Sequence, residues 1–388
     1  MSLPLPEQFT QYFTDHSSTD VKNLLITAES IFEAETTNLN KVKKKVCRVT
    51  ENFRTSPESN YKRLTRFFTL PNKRKLVRCI MILVCSMLDS KEKIKYLALD
   101  GTSWKLGEKK IHLITLSIVY HGVSIPIWWE ELGKSGISNF KERKKVIMQA
   151  SKIFNLKGLI LLADREYIGR EWFKYLKNKG IDFVIRLKRK IYRDEIDQAC
   201  HSKTILNTCQ QARYSKLEHI AKHRRYVKNG VSKKFKLLGK TYTFVVYKNP
   251  KQNAKEELLY FISSLEDKKQ IIASYPIRWT IECCFKHLKS NGFRLEAINM
   301  KDAEKIMLMM GIVVFLYTLC ILEGIKKLKK SKASDYKTFK DGKIFLTVSV
   351  FKKGLDYLNL KFNNLKTFIQ FIKTTLGHEK MLFSQNVQ

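Results

Sequence analysis

The stretch GLILLADREYIGREWF, residues 158–173, changes texture halfway along its length. Leu159 to Ala163 is an unbroken apolar run, too short for a helix and suited to a strand buried on both faces. The run stops at Asp164, and the pattern that follows predicts a helix over 170–179, ended by Gly180. A buried strand followed by a helix is a βα unit, which builds sheets with helices on their faces. On either side, the spacing predicts a helix over 139–154 and a further strand over 182–187.

Toward the N-terminus, LALDGTSWKLG at 97–107 belongs to a strand over 94–104 that reaches a turn at Asp100-Gly101. Apolar strands over 111–120 and 123–129 follow, joined at His121-Gly122. Three strands with short links predict an antiparallel meander. The order β-β-β-α-β-α-β predicts an α/β fold with a mixed five-stranded sheet. The first strand lies centrally in such a sheet and the fourth beside it, so Asp100 and Asp164 would converge at one edge. A carboxylate at the end of a buried strand is costly unless something pairs with it. Hard cations such as Mg²⁺ take carboxylate oxygens together with substrate phosphates. The plainer readings are an Asp-Gly turn for Asp100 and a helix-capping acid for Asp164.

The segment YPIRWTIECCFKHLK, within a predicted helix over 274–290, adds a third acid. At about 100° per residue, Tyr275, Arg278, Glu282 and Lys289 share one arc of about 60°. Ile277, Ile281, Cys284, Phe285 and Leu288 gather on the other side, as in an amphipathic helix. An ordinary surface face with an Arg-Glu pair four residues apart has the same phase.

Further outward, residues 1–90 read as helical, with the basic clusters KVKKK and NKRK. Residues 186–255 hold 19 Lys or Arg against 4 Asp or Glu and read as a basic, mostly β insertion. A strand over 258–262 resumes the core, and residues from about 300 to 388 read as helical. Ile306 to Leu322 is free of charge, and its length suits a core helix better than a membrane span. Of Trp128 and Trp129, one is expected in the core and one partly exposed. His112, His121 and His287 lack metal-ligand spacing and read as structural.

The whole chain of 388 residues carries 73 Lys or Arg against 36 Asp or Glu, a formal net charge of +37. Such a chain attracts polyanions, and nucleic acid is the first reading. Its eight cysteines form no C-x-x-C pair, which argues against a zinc ribbon, and a reducing cytosol fits. No signal peptide is evident at the N-terminus.

The spacing Tyr275-x2-Arg278-x3-Glu282-x6-Lys289, with the segments around Asp100 and Asp164, resembles the Y-R-E-K signature and acid-bearing strands of the insertion-sequence-four family of bacterial DDE transposases. The resemblance covers about residues 94–190 and 255–300. It implies a ribonuclease-H-like core interrupted by a β-rich insertion, with helical N- and C-terminal regions. The corresponding division is a helical DNA-binding domain at 1–90, core at 91–188 and 256–300, insertion at 189–255, and a helical region at 301–388 for dimer and synapsis contacts. The resemblance further implies that Asp100, Asp164 and Glu282 are catalytic and bind two Mg²⁺ (or Mn²⁺) ions. Tyr275, Arg278 and Lys289 would contact DNA. The partners implied are double-stranded DNA, at inverted-repeat ends and in the target, and a second copy in a homodimer, with no membrane. The location implied is a bacterial cytoplasm, on the nucleoid. Relatives carry a Trp in the insertion for base flipping. Here no Trp lies between Trp172 and Trp279, leaving Tyr242, Phe244, Tyr247 and Tyr260 as candidates. The rival readings are a non-mobile metal-dependent nuclease, a non-catalytic basic DNA- or RNA-binding protein, and a membrane-associated basic protein.

Overall fold

The structure, a computed structural model, describes residues 5–89, 92–134, 136–198, 214–223, 229–250, 254–330, 335–338 and 344–377. One end of its main sheet is the meander β1 (Tyr96–Leu106), β2 (Lys109–Tyr120) and β3 (Val123–Glu131). β4 (Ile160–Ala163) lies parallel to β1, and β5 (Asp182–Leu187) parallel to β4. The β2–β3 link uses the left-handed backbone at His121 and Gly122, as a two-residue hairpin requires.

The five-stranded expectation is too small. β6 (Val231–Leu237), β7 (Lys240–Lys248) and β8 (Leu258–Ser263) extend the same sheet to eight strands, in the order β3-β2-β1-β4-β5-β8-β7-β6. β8 pairs antiparallel with β5, β7 with β8, and β6 with β7. The physical reason is an edge. Without β8, β5 would present a row of unpaired backbone groups, and Phe244, Val245 and Val246 of the insertion would have nothing to bury against. Nor is the insertion only β. Helices Arg193–Gln198 and Tyr214–Lys222 pack on it, and Tyr214 stacks on Tyr260 with ring centroids 5.9 Å apart. Residues 199–213, 224–228 and 251–253 of this region lie outside the described residues.

Trp128 and Trp129 are both fully buried, against the expectation that one would be partly exposed. β3 is the sheet's edge strand, yet helices Lys73–Ser86, Phe140–Ala150, Trp279–Lys289 and Ala303–Leu328 all pack against it. The Trp128 indole donates to Glu130 Oε1 at 3.0 Å, and Glu130 in turn accepts two bonds from Arg74.

Helix Ala303–Leu328 is the expected core helix. Every residue from Ile306 to Gly324 is buried, packed against N-terminal helices Ser18–Ala34 and Lys73–Ser86 and against helix Val350–Lys361. Gly324 and Gly354 let the last pair approach closely. A β-carbon at Gly354 would overlap the carbonyl oxygen of Cys320, and one at Gly324 that of Val350. Polar bonds join the chain's ends to its middle. Arg74 reaches Glu304 at 2.7 Å, and the Thr37 hydroxyl donates to the Arg294 carbonyl at 3.0 Å.

Candidate active site

Alternation along β1 and β4 decides which way each aspartate faces. Parallel pairing sets Leu99 opposite Ala163, so Asp100 and Asp164 are the next positions on neighbouring strands. Strands lie roughly 4.8 Å apart and side chains alternate, so the two share one face. On that face Ala98 packs with Ile281 and Phe285, while Ile160 and Leu162 pack with Ile271 and, at the margin, Tyr275 and Ile277. The apolar stripe of helix Trp279–Lys289 therefore lies against the face that bears the aspartates, and this brings Glu282 to them.

The predicted helix over 274–290 is in two parts. Pro276 sits in a 3-10 turn, Tyr275–Arg278, which feeds the α-helix Trp279–Lys289. The simple 100° phase fails across this turn, yet Tyr275 and Arg278 still reach the same place. Arg278 Nη1 donates to Asp100 Oδ2 at 2.8 Å, and Nη2 to Glu282 Oε1 at 2.5 Å. The Tyr275 hydroxyl donates to Asp164 Oδ1 at 3.2 Å, and the guanidinium lies 5.8 Å from the Tyr275 ring centre.

Electrostatics follow from this crowding. Burial pushes the Asp100 carboxyl up to about 6, with the charges of Glu282 and Asp164 adding to the rise. Arg278 and the Gly101 N–H, which donates at 2.8 Å, pull the other way and do not win. For Arg278, burial opposes the charge, but Tyr275, Asp100 and Glu282 outweigh it and hold the guanidinium above its ordinary value. Burial likewise raises the Tyr275 phenol, with Asp164 adding.

Lys289 stands apart from this group. Its ammonium donates to the Ser103 carbonyl at 2.9 Å and pairs with Glu296 at 2.8 Å. Seven residues of helix separate it from Glu282, about 10 Å along the axis. The structure thus gathers Asp100, Asp164, Glu282, Tyr275 and Arg278, and leaves Lys289 farther along β1.

The structure adds residues that sequence reasoning missed. Arg143 is buried and donates to the carbonyls of Glu166 at 2.9 Å and Ile168 at 3.0 Å, so it holds the turn after Asp164. Its spacing gave no signal, because a lysine-rich helix hides one inward arginine. Arg186 on β5 and Arg165 share Glu256, at 2.5 and 2.7 Å. Trp279, next to Arg278, is 60% exposed. Of the four aromatics proposed to stand in for an insertion tryptophan, Tyr242, Phe244 and Tyr260 are core residues, and Tyr247 is half-buried beside Val245 and Phe261. Gly101 is needed for space: a β-carbon there would lie 2.9 Å from His112 Nε2.

The donor set is all oxygen, as a hard divalent cation requires. Arg278 already stands as a positive charge between two of the three acids. Among the described residues, no group of three or more His, Cys, Asp or Glu is arranged to hold a metal ion as it stands. The carboxylates suit a cation in chemistry, and Arg278 holds that place by charge.

Residues 91–319 match the family described as the transposase DDE domain, and the chain belongs to that family. Among solved structures, one described as a piggyBac transposase synaptic complex with hairpin DNA is similar with a TM-score of 0.47 and 10% identity. That match covers 96% of this chain and 78% of the other. No curated protein matches the chain.

Proposed function

We propose that this protein is a cut-and-paste DNA transposase of the insertion-sequence-four type, with a ribonuclease-H-like core and the Y-R-E-K residues Tyr275, Arg278, Glu282 and Lys289. The observation that carries the reading is the meeting of Asp100 and Glu282 on one guanidinium, with Asp164 beside them on the next strand. Two Mg²⁺ or Mn²⁺ ions held by Asp100, Asp164 and Glu282 would supply Lewis-acid activation of an attacking water or 3′-hydroxyl and stabilise the leaving oxygen. The chain's own part is positional. Tyr275 orients the Asp164 carboxylate, Arg278 neutralises Asp100 and Glu282 before substrate arrives, and Lys289 offers a charge to the DNA backbone. A phosphate entering the site competes for Arg278 and frees both carboxylates.

In this reading, residues 1–90 recognise the transposon ends and residues 301–388 help pair two copies. The net charge of +37 supports a DNA partner. Asp100→Ala, Asp164→Ala and Glu282→Ala should each abolish Mg²⁺-dependent cleavage of end-bearing duplex while leaving DNA affinity within about threefold, since charge elsewhere drives binding. Strand-transfer products with a supercoiled target separate a transposase from a nuclease on the same scaffold. If the three variants cleave as well as the parent, the site is misassigned.

A further inference from the structure

Helix Pro57–Phe67 has two unlike faces. Asn60, Leu64 and Phe67 are buried, whereas Ser59, Lys62, Arg63 and Arg66 are exposed. At about 100° per residue, the exposed four span an arc of about 100°, centred about 120° from the buried three. Ser56 caps the helix, its hydroxyl accepting from the Ser59 N–H at 3.2 Å. The turn leading into the helix is tied at both ends. Cys47 Sγ donates to the Thr55 carbonyl at 3.2 Å and accepts from Asn60 Nδ2 at 3.1 Å. On that braced turn Phe53 is 78% exposed.

The charges on this surface are uncompensated. Among the described residues, Lys41, Lys44, Arg54, Lys62, Arg63 and Arg66 have no acidic partner. Glu58, the acid on the same helix, is taken by Lys43 at 3.2 Å. Clustered like charges repel, and a phenylalanine left in water forgoes the burial of its apolar ring. A polyanion with apolar ring and methyl surfaces answers both costs, and duplex DNA is one. The helix is about 16 Å long, and a major groove about 12 Å wide admits an α-helix.

We propose that helix Pro57–Phe67 lies in the major groove of duplex DNA, with Lys62, Arg63 and Arg66 on phosphates and base edges and Phe53 packed against the duplex ahead of the helix. The proposal deepens the transposase reading, resting on it for the choice of DNA as polyanion.

The test uses the full chain and fluorescence anisotropy on a mixed-sequence duplex of about 30 base pairs, over a salt series. K62A/R63A/R66A should bind at least tenfold more weakly near 0.1 M salt, and its salt slope should shrink by about two to three. K62R/R63K/R66K should keep the slope. F53A should weaken binding severalfold at an unchanged slope. Circular dichroism melts confirm that each variant folds. An unchanged slope in the triple alanine variant overturns the proposal, as does equal loss of binding to single-stranded RNA with none to duplex. A shift in sedimentation without a change in DNA binding assigns the surface to a second copy instead, and also overturns it. Wild-type Mg²⁺-dependent cleavage is read in parallel. Its absence with normal duplex binding counts against the enzyme reading alone, and undiminished binding by the triple variant counts against the groove helix alone.

Discussion

Arg278 carries Asp100 on one arm of its guanidinium, at 2.8 Å, across 178 residues of sequence. The partners are 12% and 18% exposed, so the pair is only lightly screened by water. The other arm holds Glu282. One arginine thus does for two acids what a cation does in a loaded site.

Arg278→Ala therefore leaves two partly buried carboxylates without a counter-charge. We expect a loss of about 1–3 kcal/mol, below the roughly 3–5 kcal/mol seen for fully buried pairs. The melting temperature in EDTA should fall, and saturating MgCl₂ should restore most of it. The wild type should respond far less, because Arg278 already supplies the charge. Equal Mg²⁺ shifts for both proteins would sink this account.

On the transposase reading, Asp100, raised to about 6 by burial, must lose its proton before it can take a cation, which would set an acid limit on cleavage. Above that pH it is a carboxylate, and below it the carboxyl holds its proton and stops serving as an anionic donor. At subsaturating Mg²⁺, where the metal-free protein must ionise first, single-turnover cleavage should rise about tenfold per pH unit below 6 and level off above it, and saturating Mg²⁺ should move the break to lower pH. The same shift costs stability as pH climbs from 3.8 to about 6, where the unfolded chain has already lost the proton. A profile with no break near pH 6 would contradict the assignment.

Glu29 lies in helix Ser18–Ala34, 2% exposed, and its Oε2 has no hydrogen-bond partner. Burial raises it to about 9, Glu33 adds to the rise, and Arg48 opposes it. Below pH 4.5 both folded and unfolded chains are protonated here and no penalty exists. Stability is then lost steadily as pH rises, and the loss levels off above about 9. Glu29→Gln should stabilise the protein by about 2–3 kcal/mol at pH 7 and by almost nothing at pH 4.5. Chemical denaturation at the two pH values decides it, and equal effects at both would refute the buried-acid reading.

Gly354 meets the Cys320 carbonyl with no room for a β-carbon. Gly354→Ala should push helix Val350–Lys361 off helix Ala303–Leu328, at a cost of about 1–3 kcal/mol or more. Limited proteolysis should then cut near residue 350 well before the core unfolds. A variant as protease-resistant as the parent would show that the helices can slide without loss.

Much of the core was legible because its periodicities are local. The apolar run before Asp164 and the alternation before Asp100 mark β4 and β1 to within two residues at either end. The charge-free stretch from Ile306 reads correctly as a buried helix. Trp128 and Trp129 were misjudged because alternation assumes one solvent face, and β3 has helices packed around it. The helical phase of Tyr275 to Lys289 grouped four residues, whereas Lys289 is drawn to Ser103 and Glu296 instead.

From the sequence alone came the order of the elements from β1 to β5, the cationic excess, and the acids that follow two apolar runs, although β1 continues past Asp100 to Leu106 where a turn was expected. Tertiary structure alone decided that β8 closes on β5 across the basic insertion, that Arg143 braces the turn after Asp164, and that Arg278 reaches Asp100. The reason is range. Burial imprints a period of about 2 or 3.6 on neighbouring residues, but a partner far along the chain is chosen by packing and pairing summed over the whole molecule, and that choice leaves no local trace.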